Sequence, residues 1–258
     1  TERDGRLYAR GAADDKAGVV AHLAAIRAFV ETVGPDFDLG LALFIEGEEE
    51  FGSRSFKNFL TEHRNQLAAD VIVVADSDNW DVETPALTVG LRGNVTFKLT
   101  VRTLAHASHS GMFGGAVPDA MLAMIRLLAS LHDGNGSVAV EGLASHASET
   151  PEYSEARLRE EAGLLDGVTP IGVGSILERT WSRPAITVTG IDAPSVANAS
   201  NTLAPAISVR VSARIAPGQD SAEAFSAIER HLREHAPFGA QLEISDVDQG
   251  NGFLVDTG

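Results

Sequence analysis

The hydrophobic pattern changes its period near Pro85, and that change constrains the fold more than any other feature of the chain. Before it, apolar residues come in continuous runs: Leu7-Tyr8-Ala9, Leu39 to Ile45, and Val71-Ile72-Val73-Val74-Ala75. Between the runs lie stretches with helical spacing. One carries Val19, Val20, Leu23, Ile26, Val30 and Val33 and stops at Gly34-Pro35; the other carries Phe56, Phe59, Leu60, His63 and Leu67. Continuous apolar strands alternating with amphipathic helices predict a parallel sheet, because a strand apolar at every position must be covered on both faces.

After Pro85 the period becomes two. Val95, Phe97, Leu99 and Val101 alternate with Thr96, Lys98, Thr100 and Arg102, and Ile207, Val209, Val211, Ala213 and Ile215 alternate with Ser208, Arg210, Ser212 and Arg214. One buried and one polar face predict antiparallel strands. Between them the spacing predicts a helix burying Met121, Leu122, Ile125, Leu128 and Leu131, led in by Pro118. A second helix opens at Asp220, supported by Glu223 in its first turn, and buries Phe225, Ile228 and Leu232. Further strands are expected near 185–189 and 241–245, and 134–182 reads as a helical and loop insertion. The order β-α-β-β-α-β is the ferredoxin-like split βαβ. The chain is therefore expected to be α/β. Residues 1–88 form part of a domain with a parallel-type sheet, 89–248 an α+β ferredoxin-like domain, and 249–258 a return towards the first.

Composition removes several function classes. The chain has 36 acids against 20 bases, a net charge of −16, and no basic run, so nucleic acid is not an expected partner. No stretch approaches the roughly 18 apolar residues of a membrane span, so no membrane role is expected. There is no cysteine, which leaves Asp, Glu and His to hold any metal and fits a cytoplasmic setting. The opening Thr1-Glu2-Arg3-Asp4-Gly5 has no Met start and no signal pattern, as expected of a fragment.

Three acidic clusters follow the three apolar runs: Asp14-Asp15, then Glu46 with Glu48-Glu49-Glu50, then Asp76 with Asp78. Ligands of open parallel sheets gather beyond the carboxyl ends of the strands. Carboxylates converging there would raise one another's pKa, and a cation such as zinc, manganese, cobalt or magnesium resolves the conflict. Each cluster alone could be a solvated turn or a helix cap. Three in succession at corresponding strand ends point to metal.

These blocks resemble a known family. Leu7 to Lys16, Glu46 to Ser53 and Ser77-Asp78-Asn79 are similar in order and spacing to blocks of the co-catalytic zinc peptidases. That family includes carnosinase-type dipeptidases, acetylornithine deacetylase and succinyl-diaminopimelate desuccinylase. Gly90-Leu91-Arg92-Gly93 and His109 to Gly115 agree with it, and the paired Asp14-Asp15 and the Ser-Asp-Asn block resemble the dipeptidase branch. The resemblance implies a catalytic domain followed by a lid and dimerisation domain, two zinc ions (or manganese or cobalt), a small peptide substrate and a homodimer formed through the lid. It implies that Asp14 bridges the metals, that Glu50 and Asp78 each bind one, and that Glu49 is the general base for the metal-bridging water. It also implies that His109, supplied from a second subunit, steadies the oxyanion, that Arg214 binds the substrate carboxylate, and that Thr202 contacts substrate. By themselves, His109 could be an idle loop histidine and Arg214 part of a solvated sheet face. The family's His-x-Asp block and a further metal-binding histidine have no counterpart here, so the fragment is expected to bind zinc weakly or not at all and to be inactive. The alternatives are a metal-dependent deacylase of N-acyl amino acids and a non-catalytic dimerisation module.

Overall fold

Asp15 starts the first long helix. Its carboxylate accepts the Gly18 N–H at 2.7 Å, satisfying one of the donors left open at a helix N-terminus. From there α1 (Lys16–Val33) runs to Gly34, whose φ of 95° ends it. The structure, a computed structural model, describes residues 1–255 apart from 35, 36, 78 and 82, and divides into two units at 88/89. In the first unit, the short strands β1 (Glu2–Arg3) and β2 (Arg6–Leu7) form a hairpin ahead of α1, and α2 (Phe56–Glu62) and α3 (Arg64–Leu67) follow.

The runs 39–45 and 71–75 were expected as parallel strands, but among the described residues they join no ladder, and every strand pair is antiparallel. Val71 and Val74 each remain 76% exposed, and α1 buries no residue. Phe44 does pack, stacking on Phe56 and Phe59 of α2 with centroids 5.8 and 5.2 Å apart. The physical reason is that a parallel strand takes its hydrogen bonds from neighbouring strands and its burial from layers on both faces. Among the described residues, the first unit pairs no strand with these runs and leaves most of their side chains exposed.

The second unit has the core the alternation demands. It begins with β3 (Gly90–Leu91) and β4 (Gly93–Arg102), where Val95, Phe97, Leu99 and Val101 are fully buried. A loop holds β5 (Ser108–His109) and the single turn α4 (Ser110–Phe113), followed by α5 (Ala120–Ala129). The insertion carries α6 (Glu155–Ala162) and a π-helical turn, Glu178–Ser182. Then come β6 (Ala185–Asp192), β7 (Thr202–Leu203), β8 (Ala206–Ile215), α7 (Ser221–Glu234), β9 (Gln241–Gly250) and β10 (Phe253–Leu254). The main sheet has the order β6-β8-β4-β9, the split βαβ arrangement, with α5 and α7 packed on its apolar face. Near the end of the described residues, Phe253 and Leu254 of β10 pair with Leu91 and Gly90 of β3.

The start of α7 at Asp220 is where the sequence placed it, whereas α5 is capped by Asp119. Asp220 accepts the Ala222 and Glu223 N–H groups, and Asp119 accepts that of Leu122. The buried face of α5 differs from the expected stripe. Ala120, Ala123, Met124 and Leu127 are buried, with Leu131 just beyond the helix, whereas Leu122 and Ile125 face outward. Two interleaved apolar stripes on one short helix left the facing side undecided by periodicity. Pro118 precedes the cap and so lies outside the first turn.

Candidate active site

Because Asp15 takes the helix cap, the Asp14 side chain is left out of it. The turn carrying Asp14 is closed by the Lys16 N–H donating to the Gly11 carbonyl at 3.0 Å, and the Asp14–Asp15 peptide is cis. On the other side, Glu49–Phe51 form one 3-10 turn ended by Gly52 at φ 79°. Glu48 steadies that loop, accepting the Ser55 N–H at 3.0 Å and the Ser55 hydroxyl at 2.6 Å, so it is a structural acid.

The two loops meet at their carboxylates. Asp14 lies beside Glu50 and shares a hydrogen bond with it, and the Asp14 charge, that hydrogen bond and the nearby Glu49 hold the Glu50 carboxyl above the ordinary glutamate range. Arg10 acts in the opposite sense. The nearby Asp14 carboxylate disfavours ionisation of Glu50, a conflict that a bound cation relieves. The run that precedes the third acidic segment packs on α1, since Gly18 lies so close to the Ala75 carbonyl that a methyl group there would collide with it. Asp78, expected as the next ligand, lies outside the described residues. Among the described residues, no three His, Asp or Glu side chains gather closely enough to hold a metal. Asp14 and Glu50 supply an all-oxygen pair that suits a divalent cation, with one buried oxygen of Glu46 left without a hydrogen-bond partner elsewhere in the same loop.

In the second unit, His109 and Thr202 sit directly opposite each other in the β5–β7 ladder. The His109 Nδ1 accepts the Gly111 N–H at 3.1 Å, which fixes the tautomer of the neutral ring and leaves Nε2–H as a free donor. A Cβ at position 111 would crowd the ring, coming 3.0 Å from the imidazole Cε1. The Thr202 hydroxyl shares a 2.7 Å hydrogen bond with Ser200.

Arg214 is exposed near the far end of β8, paired in register with Asn94. Close to it is Arg92, whose pKa is lowered by burial first and by the Arg214 charge second. Neither arginine has an ion pair or side-chain hydrogen bond among the described residues. Two neighbouring guanidinium groups can bind a carboxylate between them. No role was expected for Arg92 from sequence, although the signal was present: it lies two residues before Asn94, on the same face as Arg214.

The structure thus brings Asp14 to Glu50 and Glu49, His109 to Thr202, and Arg214 to Arg92. The last two pairs lie apart. β8 carries Ala206 at the His109 end and Arg214 at the other, eight residues or roughly 26 Å at about 3.3 Å each.

Residues 89–240 match the peptidase dimerisation domain, and the chain belongs to that family. It is 38% identical over 259 residues to a cysteinylglycine-S-conjugate dipeptidase of Corynebacterium striatum, covering 99% of this chain and 56% of that one. It is 30% identical over 251 residues to the Beta-Ala-His dipeptidase of Homo sapiens, covering 91% of this chain and 48% of the relative. The crystal structure of human carnosine dipeptidase 1 superposes with a TM-score of 0.77 at 25% identity, over 99% of this chain and 57% of that one. The chain spans about half the length of the curated relatives it matches. No helix among the described residues is long and apolar enough to cross a membrane.

Proposed function

We propose that the protein carrying this chain is a metal-dependent dipeptidase, and that these residues supply part of its metal site and its substrate-binding lid. The observation that carries the reading is the approach of Asp14 to Glu50, two carboxylates whose mutual repulsion a bound cation would relieve. Asp14 and Glu50, with Asp78, would hold two divalent ions, zinc by resemblance, with manganese or cobalt as alternatives. Metal bound there supplies an acidified water and a polarised scissile carbonyl.

The protein's own groups do the rest. Glu49, adjacent to Glu50 on the same turn, accepts a proton as the water oxygen attacks the carbonyl carbon. The C–N bond breaks, and the proton passes from Glu49 to the leaving amine. The His109 Nε2–H donates to the carbonyl oxygen as it gains charge, and Thr202 lies beside it to orient the substrate. Arg214 and Arg92 bind the free carboxylate of the peptide.

A single copy cannot bring both ends of β8 to one short peptide. A dipeptide is about 7 Å long, far less than the roughly 26 Å between the His109 and Arg214 ends of the strand. A homodimer formed through the second unit resolves this, each site taking Arg214 from one copy and His109 with Thr202 from its partner. Glu49→Gln in the protein carrying this chain tests the chemistry. Dipeptide hydrolysis should fall at least about 10²-fold while bound metal stays at the wild-type level. Full turnover by the variant, or hydrolysis of N-acetyl amino acids in preference to dipeptides, would overturn it.

A further inference from the structure

Lys16 occupies the first position of α1, where the positive end of the helix dipole disfavours a cation. A lysine there would ordinarily extend into solvent. Instead its side chain folds back over the preceding turn and donates from Nζ to the Arg10 carbonyl at 3.1 Å. Gly11 lies beneath it, in a backbone conformation with φ of 68° that favours glycine. The same turn is closed by the Lys16 N–H on the Gly11 carbonyl, 3.0 Å, and by the Ala12 N–H on the Ala9 carbonyl, 3.2 Å. Lys16 therefore grips the Arg10–Asp14 turn with both backbone and side chain, on the segment whose purpose in the proposed reading is to present Asp14. A local preference broken and answered by a specific hydrogen bond is the kind of conflict that concentrates at functional sites.

We propose that Lys16 is a positioning residue for the metal-bridging carboxylate, its ammonium holding the Arg10 carbonyl so that the turn presents Asp14 to Glu50. The inference rests on the dipeptidase reading. It assigns Lys16 no contact with substrate and no proton transfer, and its effect passes through the geometry of Asp14.

The test is zinc affinity, measured by competition with a chromophoric chelator in the protein that carries this chain, for wild type, Lys16→Met and Lys16→Arg. Metal affinity falls roughly 10- to 100-fold in Lys16→Met, the usual cost of losing a group that orients a ligand. The metal-free protein melts within a degree or so of wild type, because Lys16 is exposed and the lost bond is local. Lys16→Arg, which keeps a donor and a charge, recovers most of the affinity. At saturating metal, kcat returns towards wild type with KM unchanged. Wild-type affinity in Lys16→Met, or an equal loss in Lys16→Arg, overturns the proposal. Glu49→Gln run alongside separates the two readings: if the wild-type protein binds no metal, or Glu49→Gln keeps its turnover, the dipeptidase reading itself has failed.

Discussion

Adjacent residues in this chain have been given opposite work by one hydrogen bond. Asp15 caps α1 and Asp14 does not, and only that division frees an acid to meet Glu50. The sequence shows the Asp-Asp pair but not which member caps, because either carboxylate could reach the open N–H groups. A second residue-scale case is His231, which lies in α7 with 7% of its surface exposed. Its Nε2 is 3.0 Å from the Ser130 carbonyl, and it stacks on His235 at 4.0 Å. Burial, and then the His235 charge, lower its pKa below the ordinary imidazole value, while the Ser130 carbonyl and Glu234 oppose this. A histidine whose pKa is lower in the folded state binds fewer protons than in the unfolded chain. Folding free energy is then unpenalised above about pH 6.5 and falls as pH drops below it. Denaturant titrations should show stability declining from pH 6.5 towards 5, with a shallower slope in His231→Gln, and identical slopes would refute the assignment.

At the scale of elements, α1 gives a prediction of unusual sign. Alanine is a better helix former than glycine by about 1 kcal/mol, so Gly18→Ala would stabilise an isolated helix. In the fold the added methyl meets the Ala75 carbonyl and crowds the Asp15 carboxylate that caps the helix. Gly18→Ala should therefore lower the unfolding midpoint, and under the proposed function it should also weaken metal binding, since the 71–75 segment precedes Asp78 in the chain. An unchanged or higher midpoint would show that the contact is dispensable. In the second unit, α5 packs its buried face on β4 and β8, and Leu127 is fully enclosed. Leu127→Ala should cost about 2–5 kcal/mol, whereas Ile125→Ala, on the outward face, should cost little. The reverse order in denaturant unfolding would restore the face that periodicity favoured.

At the scale of the whole molecule, the proposed function, with His109 and Arg214 at opposite ends of β8, makes activity a property of two copies. Arg214→Ala and His109→Ala should each be nearly inactive alone. Mixed and allowed to exchange, they form dimers in which one site is doubly altered and the other intact. Random pairing then returns about a quarter of wild-type turnover. No recovery, with heterodimers demonstrated, would place both residues in one copy's site.

Much of the second unit was legible from sequence. Alternation over 95–101 and 207–215 gave the buried face of the sheet, Asp220 and Glu223 the start of α7, and the order of elements the split βαβ topology. These are local consequences of where apolar and capping groups fall along the chain. The blocks around Asp14, Glu50 and His109 were equally local, as runs of sequence. What only the tertiary structure decided is who faces whom: Asp14 rather than Asp15 against Glu50, Arg92 beside Arg214, His109 opposite Thr202 and far from Arg214. The same holds for the runs 39–45 and 71–75, whose composition asks for a buried sheet that the described residues do not pair. Periodicity reports how a segment divides its surface between apolar and polar, but a contact between distant residues is set by the packing of several segments at once.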